Sequence, residues 1–374
     1  MGSERRARIA LVAGSIAVAL LAGELGLRVW GEEHEPAPDF VPVERLCEGC
    51  RRLFELNPDH PAVGPQKTRD RVYAIPKPPG VFRILVLGDS IALGQQLRRR
   101  ETFPERLELA LDAPGRRVEI VNAGVNGYTP YNELHYFLEV GRDFEPDLVL
   151  AAFCMNDVVA PLLHWNRRRR LLEIPAEAIP NPAYHEAVAE PRFRRRTWAA
   201  RAAAHSRLLG RLAAALVPSV AEDWRERCYP TRGRLPNCLT LEDELGIEVL
   251  EDEASPEWRW LRGLYDRLAA AVREAGASFA VIVFPLAYQM DPASSQRAQA
   301  AWERYCRARG LACLDLLPAL RVAASRAGPP ADPDWDHALW IDVWHPSPAG
   351  HAIAAEAIRA FLAREALLGD IRRR

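Results

Sequence analysis

Short apolar runs rich in β-branched residues alternate with longer helical patterns along this sequence, and this alternation restricts the fold more than any other feature. Five runs lack the in-and-out alternation of a half-exposed strand, so each predicts a parallel strand covered on both faces: 82–87, 118–122, 148–153, 278–284 and 312–316. Helical patterns lie between or after them, at residues 105–111, 258–275, 298–309 and 348–368. The sequence therefore predicts a three-layer α/β/α sandwich around a central, mainly parallel five-stranded sheet.

The last predicted helix has its own start and stop signals. Ser347 offers an N-cap oxygen, and Pro348 suits the first helical position. Gly369 is expected as the left-handed residue just past the helix end. His351, in the first turn, is expected to pack in the interior.

Length and charge limit the class of protein. The chain has 374 residues, and 49% of them are hydrophobic, which is enough for a large core. The net charge is −1, and the basic runs are short, so we expect no nucleic-acid partner.

Residues 1–30 have the pattern of an N-terminal signal anchor. Arg5, Arg6 and Arg8 precede an apolar run over 9–23. Extended to Trp30, the segment reaches about 22 residues, which is long enough to cross a bilayer. The basic flank predicts a single-pass protein whose N-terminus stays in the cytoplasm while the remainder is exported. A cleaved signal peptide and a buried helix are the alternatives.

The rest of the chain divides by composition. Residues 31–80 are rich in proline and charge and predict a linker and domain entry. Residues 81–370 carry the strand and helix pattern and predict one domain. The stretch at about 158–255 is too long for a crossover and is interpreted as an insertion.

Seven cysteines suit an exported chain. Cys228 with Cys238, and Cys306 with Cys313, could each close a disulfide. Cys47 and Cys50 form a single C-x-x-C pair, which favours a disulfide or two thiols over a metal site. Cys154 lies in an apolar run and is expected to be a buried thiol.

Candidate functional residues follow three of the predicted strands. Ser90 comes after the first strand, Gly124 after the second and Asn156 after the third, while Asp342 and His345 stand three apart before the last helix. In open parallel sheets the carboxyl ends of the strands meet at one edge, where ligands bind. One crevice could therefore collect all five residues.

These residue types match the needs of acyl-ester cleavage. Ser90 can be the nucleophile, His345 the base that deprotonates it, and Asp342 the carboxylate that orients the imidazole. The N–H groups of Ser90 and Gly124 and the side-chain amide of Asn156 can form an oxyanion hole.

Each motif alone has a structural explanation. Gly-Asp-Ser and Asn-Asp after a strand are typical of turns, and Asp89 and Asp157 are expected to support those turns by hydrogen bonds. The α/β-hydrolase elbow G-x-S-x-G is not matched, because Ala92 stands at its last position. Dinucleotide and P-loop glycine motifs are also missing from the sequence.

Together the blocks resemble the SGNH hydrolases, also called the GDSL-type esterase/lipase superfamily, over residues 80–365. The nucleophile block is Gly88-Asp89-Ser90, the second-block glycine is Gly124, and the third-block asparagine is Asn156. The last block, D-x-x-H, falls on 342–345. Two positions differ from the family pattern: Ile91 replaces a leucine, and Cys154 replaces the glycine of the third block.

The resemblance implies a flavodoxin-like fold and a serine esterase that hydrolyses O-acetyl or short-chain acyl esters without metal or cofactor. The substrate would be an acylated glycan or lipid. The N-terminal segment resembles that of bacterial members anchored in the inner membrane, with the catalytic domain outside the cytoplasm. Two alternatives use the same fold: an O-acyltransferase acting on cell-envelope or extracellular glycans, and an inactive glycan-binding or assembly protein.

Overall fold

The structure is a computed structural model, and it describes residues 14–15, 43–94, 96–112, 117–154, 157, 175–178, 252–326, 338–341 and 344–369. The chain divides into two compact units, Met1–Phe40 with Ala183–Arg227, and Val41–Pro182 with Cys228–Arg374. In the first unit only residues 14–15 are described, and they are helical and exposed. All the elements named below belong to the second unit.

Strands and helices of this unit alternate along the chain. The strands are β1 (Glu44–Leu46), β2 (Phe54–Leu56), β3 (Val81–Gly88), β4 (Arg117–Asn122), β5 (Leu148–Cys154), β6 (Ser278–Phe284) and β7 (Ala312–Asp315). The helices are α1 (Ser90–Leu93), α2 (Phe103–Leu111), α3 (Pro130–Glu139), α4 (Pro256–Glu274), α5 (Arg297–Arg309), α6 (Leu317–Arg326) and α7 (Pro348–Arg364).

Five parallel strands form the central sheet in the order β4-β3-β5-β6-β7. All five predicted strands are confirmed, with ends shifted by one residue at most. The chain enters at β3, moves outward to β4, and then returns to build β5, β6 and β7 on the other side. This is the flavodoxin-like order, whose binding crevice lies where the direction of winding reverses, here at the carboxyl ends of β3 and β5.

Helices cover both faces of the sheet, because right-handed crossovers of opposite direction place them on opposite sides. Helix α7 packs against α2 and α6, and α4 packs against α3. Strand β3 is buried except at Phe82, which is half-buried, and Ile84 to Leu87 are at most 1% exposed. The uninterrupted apolar runs are explained by this double cover, since both faces of each inner strand need apolar side chains.

Helix α7 begins as predicted and ends earlier than predicted. The Gly350 N–H donates to Ser347 Oγ at 3.3 Å, which confirms the N-cap. The helix closes at Arg364, because Ala366 takes the left-handed conformation (φ +51°) and the Leu367 N–H donates to Leu362 O at 3.0 Å. This is a Schellman closure, so the prediction that Gly369 would terminate the helix was wrong.

The described part of the expected linker, residues 43–80, packs on the domain. Strands β1 and β2 form an antiparallel hairpin in which Phe54 and Leu56 are buried. The Tyr128 hydroxyl donates to Phe54 O at 2.7 Å and fixes the hairpin to the domain. A Cys47–Cys50 disulfide lies in the hairpin loop.

Several other predictions concern the termini, the insertion and the cysteines. Within the described ranges no helix is long and apolar enough to cross a membrane, and the predicted anchor at 1–30 lies outside them except for 14–15. Most of the predicted insertion at 158–255 also lies outside.

Cys306 and Cys313 form a disulfide, and Cys154 is buried as predicted. Cys228 and Cys238 are outside the described residues.

Candidate active site

Ser90 stands where β3 turns into α1. Asp89 is the N-cap of this short helix, and its Oδ1 accepts the Ile91 N–H at 2.8 Å. Ser90 is therefore the first helical residue, and it is 4% exposed. The strand–turn–helix geometry holds the hydroxyl at the carboxyl edge of the sheet, beside the point where the winding reverses.

His345 reaches Ser90 from a distant part of the chain. Its Nε2 lies 2.8 Å from Ser90 Oγ, across 255 residues of sequence. A second acceptor for the hydroxyl, Asp89 Oδ2, is more distant at 3.4 Å. A base within hydrogen-bond distance of a hydroxyl is the arrangement that activates a serine nucleophile.

The loop before α7 fixes the position of His345. The Ile341 N–H donates to His345 O at 2.8 Å, and the Ser347 N–H donates to Leu339 O at 2.8 Å. These bonds pair the backbone of residues 339–341 with that of residues 345–347 in antiparallel direction. The imidazole is thus carried by paired backbone directly before the capped start of α7.

His351 joins this end of α7 to the neighbouring helix. It is 1% exposed, and its Nδ1 accepts the Phe103 N–H at 3.0 Å. Burial, helped by the neighbouring His345 and Arg106, lowers the pKa of His351 to about 3. His351 is therefore neutral at pH 7 and packs in the interior as predicted.

Gly124 follows β4 and touches the nucleophile helix. A Cβ at this position would lie 2.7 Å from the carbonyl carbon of Ala92, so only glycine allows the approach. The Gly124 N–H donates to Asn122 Oδ1 at 3.0 Å, and Asn122 Nδ2 donates to Ala92 O at 2.7 Å. The Asn122 side chain thus ties Gly124 to α1, a role that the sequence analysis missed.

Asn156 and Asp342 lie outside the described residues, so their roles stay predictions. Their neighbours are described. Asp157 Oδ2 accepts the Cys154 N–H at 2.9 Å, so the Asp157 side chain supports the backbone at the end of β5 by a hydrogen bond, as expected. Asp89 supports its own turn in the same manner, as expected.

Arg69 was also missed by the sequence analysis. Its guanidinium donates to Leu93 O at 3.1 Å and to the carbonyl oxygens of Gly94 and Leu97. Burial lowers the pKa of this guanidinium from its usual value. Arg69 thereby closes the C-terminal end of α1. No local signal marks it, because its partners are about 25 residues away.

Metal-binding groups are not evident in the part of the chain that the structure describes. Within it, no group of three or more His, Cys, Asp or Glu side chains could hold a metal ion.

Comparisons with known proteins agree with the order of the motifs. Residues 86–353 match the GDSL-like Lipase/Acylhydrolase family. An arylesterase of Vibrio mimicus is 35% identical over 75 residues, which cover 20% of this chain and 38% of the arylesterase. The match therefore spans well under half of that relative.

Solved structures show more distant likeness. A catalytic mutant of Axe2, an acetylxylan esterase from Geobacillus stearothermophilus, is 14% identical with a TM-score of 0.41, over 75% of this chain and 94% of that one. TesA is 13% identical with a TM-score of 0.40, over 75% and 98%. These likenesses are weak, and the fold assignment depends on the strand order instead.

Proposed function

Because the chain belongs to the GDSL-like lipase/acylhydrolase family, we propose that it is a serine esterase in which Ser90 attacks an acyl ester. The observation that carries this proposal is the 2.8 Å distance between Ser90 Oγ and His345 Nε2. It joins a hydroxyl and a base at the edge of the sheet where flavodoxin-like folds bind ligands.

The reaction has two halves. His345 Nε2 takes the hydroxyl proton as Ser90 Oγ bonds to the carbonyl carbon, and the carbonyl oxygen becomes an oxyanion. The intermediate collapses, His345 gives the proton to the departing alcohol oxygen, and an acyl-Ser90 ester remains. Water then loses a proton to His345 and attacks the acyl carbon. The bond between the acyl carbon and Ser90 Oγ breaks, His345 returns the proton to Oγ, and the acid is released.

Three groups are proposed as donors to the oxyanion. The Ser90 N–H lies at the first position of α1, where a helix supplies no internal acceptor. The Gly124 N–H already donates to Asn122 Oδ1, so it would share its hydrogen between that oxygen and the oxyanion. The Asn156 amide, which directly precedes Asp157 in the sequence, is proposed as the third donor.

Asp342 is proposed to hold the His345 imidazole in the tautomer that leaves Nε2 able to accept a proton. In the sequence it stands between Ile341 and His345, whose backbones are hydrogen-bonded to each other. A carboxylate in this role also stabilises the imidazolium that forms during attack.

The test is ester turnover by the full chain in detergent. We would assay p-nitrophenyl acetate, butyrate and octanoate, and labelling by a fluorophosphonate, for the wild type, Ser90→Ala and Ser325→Ala. Ser325 is exposed on α6 and receives the same chemical change. Ser90→Ala should lower kcat by about 10³ or more and abolish labelling, because the nucleophile is gone.

Ser325→Ala should turn over and label like the wild type. Turnover in the folded Ser90→Ala protein that stays within about tenfold of the wild type would remove Ser90 from the mechanism. Short acyl chains are the expected substrates, and the series of three esters measures that preference directly.

The same assay separates hydrolysis from acyl transfer. For an esterase, the acid released equals the ester consumed when an oligosaccharide acceptor is added. Acylated sugar in place of free acid would show instead that the acyl-enzyme is resolved by a sugar hydroxyl, as in the O-acyltransferase alternative.

We also propose that residues 1–30 anchor the domain outside the cytoplasm of a bacterial cell. The support is the basic flank of Arg5, Arg6 and Arg8 before the apolar run. Fractionation with alkaline washing, followed by protease digestion of intact spheroplasts, tests both parts. Release by the wash, or protection from the protease, would contradict the proposal.

A further inference from the structure

Three buried carboxyl side chains interact electrostatically with one another, and one of them, Asp89, directly precedes the nucleophile. Asp89 caps α1, Asp157 follows β5, and Glu133 lies in the first turn of α3. Their exposed fractions are 1%, 1% and 0%. The charge of Asp89 acts on both of the others, so the three groups form one electrostatic unit, which we call the acid layer.

The members of the acid layer differ in their hydrogen bonds. Asp89 Oδ1 accepts the Ile91 N–H, and Asp157 Oδ2 accepts the Cys154 N–H. Among the described residues, neither carboxyl oxygen of Glu133 has a hydrogen-bond partner, and the same holds for Asp157 Oδ1. A bare carboxylate in such a place would lose its hydration with nothing to replace it.

The groups that act on Glu133 give it no compensating charge. Asp89, on the turn into α1, is acidic. Asp157, which follows β5 and interacts electrostatically with Glu133, is also acidic. From α4, Tyr265 contributes a buried phenol whose hydroxyl also lacks a partner among the described residues. Burial, followed by the charge of Asp89, raises the pKa of Glu133 to about 8. Glu133 therefore holds a proton at pH 7.

We propose that Glu133 is a positioning residue for the proposed esterase reaction, and that it works only in its neutral, protonated form. In that form it adds no negative charge that would act on Asp89, so Asp89 can cap α1 and hold Ser90 in place. Ionised Glu133 would repel Asp89 and would place a second negative charge behind the site where the oxyanion develops. This inference rests on the proposed function.

The proposal predicts a particular pH dependence. Turnover should fall as pH rises through about 8, by about tenfold per pH unit once Glu133 is ionised. The effect should appear in kcat rather than in KM, because Glu133 acts on the catalytic turn and does not contact the substrate. We call this fall of kcat at alkaline pH the alkaline limb. A side chain with only a structural role would not produce an alkaline limb that depends on its own ionisation.

The experiment compares kcat and KM across this range for the wild type, Glu133→Gln and Glu274→Gln. Glutamine has the shape of a protonated glutamate and cannot ionise. Glu274 is exposed at the end of α4 and serves as the matched control. Glu133→Gln should keep kcat at pH 7 within about threefold and lose the alkaline limb, whereas Glu274→Gln should behave like the wild type.

An alkaline limb that persists in Glu133→Gln would overturn the proposal, and so would a folded Glu133→Gln protein without activity at pH 7. Should Glu133→Gln fail to fold, the limb is measured on Glu133→Leu, which also lacks an ionisable group. Wild-type protein without any ester turnover would count against the proposed function itself, which is a different result.

A second measurement detects the proton without any turnover. The folded-state pKa of about 8 lies above the ordinary value of 4.5, so Glu133 stabilises the fold fully below about pH 4.5, and this contribution is lost as pH rises to about 8. Urea unfolding should show this loss in the wild type and a smaller loss in Glu133→Gln. Equal pH dependence in both proteins would show that Glu133 holds no extra proton.

Discussion

Buried charged groups near the two ends of strand β3 differ in their hydrogen bonding. Near the amino end, Arg83 is 0% exposed, and each nitrogen of its guanidinium donates a hydrogen bond: the group reaches Glu119 at 2.7 Å, Phe144 O at 2.7 Å and Ala74 O at 3.1 Å. At the carboxyl end, the buried carboxyl of Glu133 interacts electrostatically with Asp89 and has no hydrogen-bond partner in the described part of the chain. At the amino end the buried charge is paired with an opposite charge, whereas at the carboxyl end acidic groups interact with one another without a cation.

This difference distinguishes residues that stabilise the fold from residues that affect the reaction. A buried ion pair with every donor satisfied holds the edge of a sheet and needs nothing from a substrate. Crowded acids without counter-ions have perturbed pKa values, and such groups concentrate at functional sites. We therefore expect changes at the amino end to alter the free energy of unfolding, and changes at the carboxyl end to alter turnover.

Arg83→Met should have the largest effect on stability. It removes the buried guanidinium, which leaves Glu119 with Arg117 as its remaining partner and takes a donor from Phe144 O and Ala74 O. This should cost about 3 kcal/mol of unfolding free energy. Urea denaturation at pH 7 measures the loss. Any protein that remains folded should keep the wild-type kcat, and a large fall in kcat at full folding would break the comparison between the two ends.

Asn156→Ala should have the opposite profile. Loss of one oxyanion donor should lower kcat by about 10² to 10³, with KM little changed. Asn122→Ala is the informative companion, because Asn122 ties Gly124 to α1 and is not itself a proposed donor. If Asn156→Ala loses less than about tenfold, the oxyanion hole must be made by the backbone N–H groups alone.

His351→Leu should give the smallest effect. The Phe103 N–H would lose its acceptor, at a cost of about 1–3 kcal/mol of unfolding free energy. The folded-state pKa of about 3 lies below the ordinary 6.5, so stability is lost as pH falls from about 6.5 to 3. Unfolding curves of the variant should lack this part of the acid dependence, and an unchanged acid dependence would contradict the assignment.

Sequence patterns predicted what depends on local chemistry. The five strands follow from apolar runs that only a doubly covered sheet requires, and the Ser347 cap follows from its own side chain. The pairing of Ser90 with His345 followed from the order of the motifs at strand ends. Helix α3 was missed although Thr129, Pro130 and Asn132 carry a capping signal, and Glu133 was missed with it.

Other features depend on tertiary contacts that no local pattern encodes. Arg69 closes α1 from a segment that looks like a linker, and its partners are fixed only by the fold. Ala366 closes α7 in a conformation that glycine favours, so the nearby Gly369 misled the prediction. Such positions are decided by packing, which overrides the preference of a single residue.

The central claim is that Ser90 and His345 act as one catalytic unit. We would measure kcat for the wild type, Ser90→Ala, His345→Ala and the double variant, each as the full chain with p-nitrophenyl acetate. The account predicts that each single change lowers kcat by about 10³ or more and that the double change costs little further, because groups that act together are lost together. Single losses that multiply in the double variant would show that the two residues act independently, and this would contradict the account.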